Sequence, residues 1–182
     1  MPFENSRNRL LELLRTYALQ WPNERTVDLL IEFVQRQPDC FERTCFEDGH
    51  VTGSAWIVCP NHRRVLLTHH RKLEKWLQLG GHSDGDSNPL NVAQREAEEE
   101  SGLNVKPIHS AVFDIDIHTI PARGEDPEHK HYDVRFLFEA DDQSALTISA
   151  ESNDLRWIAL KDLPTLTSEE SVLRMARKTT NP

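Results

Sequence analysis

Cysteine is scarce in this 182-residue chain. Its three cysteines, Cys40, Cys45 and Cys59, are odd in number and form no Cys-x-x-Cys pair. That argues against a disulfide framework and a zinc knuckle and fits a reducing compartment. Long apolar runs are missing too: nothing approaches the roughly 18 residues needed to span a bilayer. The opening stretch MPFENSRNRLLELLRTYALQW alternates charge with leucine where a signal peptide would carry an apolar run. The expectation is a cytoplasmic protein with no membrane partner. A basic block is also lacking, since the net charge is -9 and the densest basic stretch, Arg63 to Lys75, is broken by Leu and His. Nucleic acid is therefore not the expected partner, and a phosphate ligand would need a cation recruited locally. There is no internal repeat and no low-complexity tract.

What is present suffices for one domain with an appended subdomain, at 37% hydrophobic content. Leu10, Leu11, Leu13, Leu14 and Tyr17 recur at helical spacing behind Ser6 as a cap, with Pro22 closing the segment. Val27, Leu30, Ile31 and Val34 mark a second amphipathic helix between Asn23 and Pro38. These stripes read as core packing, with a homodimer contact as the alternative. The boundaries are a helical extension over 1–46 and the main domain over 47–182. Within the latter, VTGSAWIVCP and RVLLTHH read as strands around the turn Pro60-Asn61-His62. VKPIHSAVFDIDIHTI and HYDVRFLFEA read as long strands joined by a polar loop, LRWIAL as a last strand, and TSEESVLRMARK as a closing helix capped by Thr167 or Ser168. Helices before, between and after mixed strands give an α/β sandwich.

The stretch GGHSDGDSNPLNVAQREAEEESGL, Gly80 to Leu103, breaks local rules. Asn88-Pro89 starts a helix after a glycine-rich turn, and Gly102 stops it. At 100° per residue, Glu96, Glu99 and Glu100 share an arc of about 100°, while Glu98 points away. Each like-charged pair at i,i+3 or i,i+4 costs roughly 0.2–0.5 kcal/mol, and anions oppose the negative end of the helix dipole. Sequences that violate local consistency tend to do so at functional sites. A hard divalent cation such as Mg²⁺ or Mn²⁺, which prefers carboxylate oxygens, would relieve both penalties.

The same residues resemble the Nudix box. Gly81 opens it, and Arg95, Glu96, Ala97, Glu99, Glu100, Gly102 and Leu103 fill their places. One position departs: the first glutamate of the pattern is Ser87, for which Asp84 or Asp86 are candidate substitutes. The resemblance runs from about His50 to the C-terminus and leaves the N-terminal helices outside. It implies a Nudix α/β/α sandwich with a mixed sheet behind a two-helix extension. It also implies a hydrolase that cleaves a diphosphate linkage in a nucleoside diphosphate derivative, a small-molecule substrate, by water attack on phosphorus with Mg²⁺ or Mn²⁺. The implied metal ligands are Glu96, Glu99, Glu100 and the carbonyl of Gly80 or Gly81; the implied catalytic groups are Glu99 as base or third ligand, Glu100, and Arg95 orienting a glutamate. Glu151, on the loop before LRWIAL, is a candidate general base, against the plainer reading of a surface residue. Trp56, Trp76 and Trp157 read as core before substrate stacking.

Two other classes compete. Isopentenyl diphosphate isomerases share the fold, and HVTGSAWIV followed by GGHSDGDS resembles their histidine-containing stretches, but Gly80 stands where they carry a catalytic cysteine. A module that binds a nucleotide derivative without cleaving it is the third class. The isomerase resemblance also implies that His50, His82, His129 and His131 meet, with His118 on the neighbouring strand as an addition. His129 and His131, two apart at the start of a strand, project from one face. The set reads either as a second site for a transition metal or as a phosphate-binding wall.

Overall fold

The computed structural model describes residues 2–180. Its elements are, in chain order, α1 (Pro2–Gln20), α2 (Thr26–Arg36), β1 (His50–Val58), β2 (Arg64–His70), β3 (Lys75–Leu77), β4 (Leu79–His82), α3 (Pro89–Ser101), β5 (Lys106–Pro107), β6 (Asp114–Ile120), β7 (His129–Glu139), β8 (Ser152–Ala159), α4 (Leu163–Leu166) and α5 (Glu170–Thr180). Among the described residues no helix is long and apolar enough to cross a membrane.

The sheet is organised about β1, which is buried along its whole length. β7 runs parallel to it, from His50↔His131 to Val58↔Glu139. Its other edge is shared: β4 pairs with Thr52 to Ala55 and β2 with Ile57 and Val58, both antiparallel. β3 and β8 extend from β2, and β5 and β6 extend from β7. A strand buried on both faces must be apolar on both, and the alternation sorts the side chains into two clusters. Ala55, Ile57, Phe136 and Phe138 join Ala93 and Ala97 of α3 and the stripes of α1 and α2. Trp56, Val58, Val65 and Leu67 meet Val172 and Met175 of α5. Gly53 permits the close approach of α3, because a Cβ there would lie 2.5 Å from the Pro89 carbonyl oxygen and 2.9 Å from the Val92 Cβ.

Several boundaries differ from the sequence reading. α1 begins at Pro2, so position 6 lies inside the helix, and the Ser6 side chain lies outside the described residues. α2 starts three residues after Asn23, and its flanking Arg25 makes no side-chain cap. Of the glycine-rich stretch read as a turn, Gly80 and Gly81 belong to strand β4, pairing through their backbone amides as any residue does, and the turn itself follows at Asp84-Gly85. The long strand expected from Val105 to Ile120 is two strands, β5 and β6, separated by six residues around Ser110. The stripe residues Leu10, Leu11, Leu14 and Tyr17 are buried in the chain's own core, and Phe33 of α2 stacks on Tyr132 of β7 at 3.8 Å between ring centroids.

A buried charge network ties the layers together. Arg135 sends its guanidinium to Asp133 (2.7 Å), Asp114 (3.1 Å) and Asp116 (3.4 Å). Asp114 also receives Arg174 and Lys178 of α5, each at 2.8 Å, and the Lys178 ammonium reaches the Tyr17 hydroxyl (2.6 Å) and Glu24 (2.9 Å). Burial works to raise both β6 carboxyls. It is outweighed at Asp116 by the His118 hydrogen bond and the Arg135 charge, which hold it at about 2, and at Asp114 by Arg174 and Arg135, which hold it below the usual range. The folded values lie below the unfolded value near 3.9, so this stabilisation is present above about pH 4 and lost as pH falls through the folded values. Urea titrations at pH 5, 3.5 and 2.5 should show stability falling across this window. Asp116→Asn should flatten the fall by about 2 kcal/mol, whereas an unchanged slope would remove Asp116 from the account.

Candidate functional site

β4 and α3 build the first half of the site. Backbone pairing of Ser54 with Gly80 and Gly53 with Gly81 sets two residues without side chains beside β1, and α3 packs over them. Gly102 takes the left-handed conformation (φ 71°) and its N–H reaches the Glu98 carbonyl, ending α3 as expected, although the Asn88 side chain makes no cap bond. A Cβ on Gly81 would lie 2.5 Å from the Glu96 carboxyl carbon, so the carboxylate occupies the room that glycine leaves. Arg95 holds Glu96 from the other side, Nη1 to Oε1 at 2.9 Å, while its Nη2 donates to the His82 carbonyl at 3.2 Å. Glu96 and Glu100 are half-buried, and Glu98 and Glu99 are exposed. Burial, and after it the charge of Glu96, pushes Glu100 up to about 8 against the pull of the Gly80 backbone amide. Glu96 is raised by burial as well, with Arg95 opposing.

The other box-related residues sort by position. Glu151 is exposed, its carbonyl accepts the Arg71 N–H at 2.9 Å, and its carboxylate is near enough for its charge to act on both Glu96 and Glu100. Asp86 accepts the Asn88 N–H at 2.9 Å and so shapes the turn, whereas the charge of Asp84 reaches Glu96. Trp56 is fully buried; Trp76 is half-buried beside His69 and under the Arg156 guanidinium. A side chain at position 80 would collide with Ser54 (Oγ 2.3 Å, Cα 2.7 Å), so this backbone leaves no place for a cysteine there. Gly81→Ala should keep the fold, since the atoms it meets end a flexible side chain, but displace the Glu96 carboxylate. A misplacement on that scale costs on the order of 100-fold in turnover. Full activity with an unchanged melting temperature would show that Glu96 need not sit there.

The histidines form the second half. Register explains their meeting: His50 is opposite His131 across β1 and β7, and His82 opposite Thr52 across β1 and β4. His50, His82 and His131 present ligand atoms that all lie within 4.8 Å of one another, the only such group of three or more metal-capable side chains among the described residues. Glu96, Glu99 and Glu100 do not close into such a set. The His129 ring lies 5.0 Å from His50 and the His118 ring 5.5 Å from His131. Burial, and after it the neighbouring imidazoles, pushes His50 down to about 4 and His131 to about 2; burial lowers His82 too. Neutral rings offer lone pairs to a cation and little attraction to an anion, so the arrangement suits a metal better than a phosphate-binding wall. The sequence reading missed the partner of His118: Asp116, at 3.2 Å from Nδ1. The alternation in DIDIH, which puts Asp116 and His118 on one face of a strand, was its only signal.

The donor set of the box half, carboxylates beside a backbone strand, fits a hard divalent cation. A family model described as NUDIX domain matches residues 49–177, leaving α1 and α2 outside. No match was found among curated protein sequences. Among solved structures, a NUDIX-family hydrolase from Clostridium perfringens is 28% identical, with 72% of this chain and 96% of that chain covered and a TM-score of 0.55. An Ap4A hydrolase from C. elegans is 17% identical over 72% of this chain and 95% of that one, TM-score 0.56. The NUDIX domain of Shewanella oneidensis NrtR, solved with ADP ribose, is 15% identical over 82% and 96%, TM-score 0.53. The last two show the fold alone.

Proposed function

Because the chain belongs to the NUDIX family, we propose that it hydrolyses a diphosphate linkage in a nucleoside diphosphate derivative, with a divalent cation held by its box carboxylates. The observation that carries this is the pairing of Glu96 and Glu100, half-buried on the one face of α3 that rests against Gly80 and Gly81. Mg²⁺ or Mn²⁺ held by Glu96, Glu100 and the Gly81 carbonyl, with Glu99 at the exposed rim, would neutralise diphosphate oxygens and acidify a water. Arg95 fixes the Glu96 carboxylate and ties it to β4, so the ligand face is set before substrate arrives. Glu151, exposed and near enough for its charge to act on Glu96 and Glu100, would accept the proton of the attacking water. Ser87 supplies no carboxylate, which leaves Asp84 as the acidic group nearest in role.

A net charge of -9 gives a polyanion no long-range attraction to the protein, so affinity should depend on Mg²⁺ or Mn²⁺ at the carboxylates. The names of the similar structures suggest ADP-ribose and dinucleoside tetraphosphates as first candidates. The test is a panel of ADP-ribose, NADH, dinucleoside polyphosphates, nucleoside triphosphates and isopentenyl diphosphate, with either cation and with chelator. Cation-dependent release of a phosphorylated product from one of the nucleotides is expected. Binding without turnover would favour a regulatory module, and double-bond migration in isopentenyl diphosphate would favour an isomerase, which Gly80 speaks against.

A further inference from the structure

His50 is 1% exposed, and neither of its ring nitrogens makes a hydrogen bond of good geometry, although the Cys45 backbone lies near enough to act on the ring; the Nε2 of His131 is likewise buried and unpaired. An orphaned buried polar atom costs about 1–3 kcal/mol, and native structures keep few of them. One ring nitrogen of His50 and the Nε2 of His131, facing each other from adjacent strands, call for a common partner. We propose that His50, His82 and His131 form a binding site for a borderline divalent transition metal, of which Zn²⁺ is the natural probe, distinct from the carboxylate site on α3. Tetrahedral zinc bonded at about 2.1 Å holds imidazole nitrogens about 3.4 Å apart, so from the 4.8 Å limit the rings need close by at most 4.8 − 3.4, about 1.4 Å. Small side-chain torsions supply that. Imidazole donors suit Zn²⁺ and its neighbours in the transition series, whereas Mg²⁺ prefers oxygen.

Two further histidines flank the three. His129 donates its Nδ1–H to the Pro127 carbonyl (2.7 Å), and its ring lies 5.0 Å from that of His50. His118, outside the three, is hydrogen-bonded to Asp116, itself held by Arg135 and Arg174, and its ring packs 5.5 Å from that of His131. Three protein ligands with a fourth position open match the reactive rather than the closed kind of zinc centre. His82 stands next to Gly81, so the two metal-binding faces are separate but adjoin along β4.

The site can be tested without assaying hydrolysis. Untagged protein is stripped with chelator and titrated with Zn²⁺ against a chromophoric competitor, and separately with Co²⁺ while its visible bands are recorded. One Zn²⁺ per chain is expected, with a raised melting temperature and Co²⁺ bands typical of nitrogen ligands. His131→Ala should weaken Zn²⁺ binding by more than about 100-fold, beyond the 10–100-fold typical of losing an outer partner. Glu100→Gln should retain it, which keeps this inference separate from the hydrolase reading. Should His131→Ala fail to fold, imidazole resonances of the wild type decide: those of His50, His82 and His131 must shift together on Zn²⁺ addition. No bound Zn²⁺ in the wild type, or a loss in Glu100→Gln equal to that in His131→Ala, would overturn the proposal.

Discussion

Glu100→Gln is expected to lower turnover of a diphosphate substrate by about 1000-fold or more, roughly 4 kcal/mol of lost transition-state stabilisation. The amide keeps the shape of the side chain and removes the charge that a cation would need. Because Glu100 is raised by burial and by Glu96, the substitution also relieves a repulsion, so without added cation the melting temperature should hold or rise. Glu98→Gln, on the exposed far side of α3 where Gln94 already contacts the carboxylate, should change turnover by no more than about twofold. Comparable losses from both substitutions would contradict the assignment of a ligand face to the helix.

Arg135→Met should produce the largest loss of stability, about 3–5 kcal/mol. The guanidinium is 2% exposed and is the one cation that contacts Asp114, Asp116 and Asp133 together. Removing it leaves buried carboxylates facing one another. Asp133 also accepts from Thr52 (2.9 Å), Ser54 (2.8 Å) and Gln78 (3.2 Å), so the pairing of β1 with β4 is disturbed along with the core. Arg135→Lys keeps the charge but not the planar fork that serves several carboxylates at once, and should recover only part of the loss. An unfolding free energy from urea titration within about 1 kcal/mol of wild type for Arg135→Met would mean the network contributes specificity rather than stability.

How legible all this was depends on which interactions are local. α3 could be read because proline at its start and glycine at its end act within a turn, and β1 and β2 because apolar runs flank a proline turn. β4 could not: its glycines are strand residues only because β1 lies alongside, and pairing between strands some 25 residues apart leaves no local trace. The aspartates of β6 and Arg135 look like the wet face of an alternating strand. They are buried because α5, about 40–60 residues further on, brings Arg174 and Lys178 over them, and α1 brings Tyr17. The fourfold glutamate run announced a site through its local cost, yet its spacing did not tell that Glu99 would stand exposed while Glu96 and Glu100 turned inward. Of the histidines, the spacing of His129 and His131 placed both on one face, whereas the meeting with His50 and His82 depends on strand register.

The most direct measurement of the central claim is hydrolysis of the preferred nucleotide substrate in ¹⁸O-labelled water with Mg²⁺ or Mn²⁺, read by mass spectrometry of the products. Water attack on phosphorus beside Glu96 and Glu100 places one labelled oxygen in a phosphoryl product, only when the cation is present, and with Glu100→Gln nearly none in the same time. Release of an unphosphorylated product carrying the label, or phosphoryl labelling that persists in chelator or in Glu100→Gln, would contradict it.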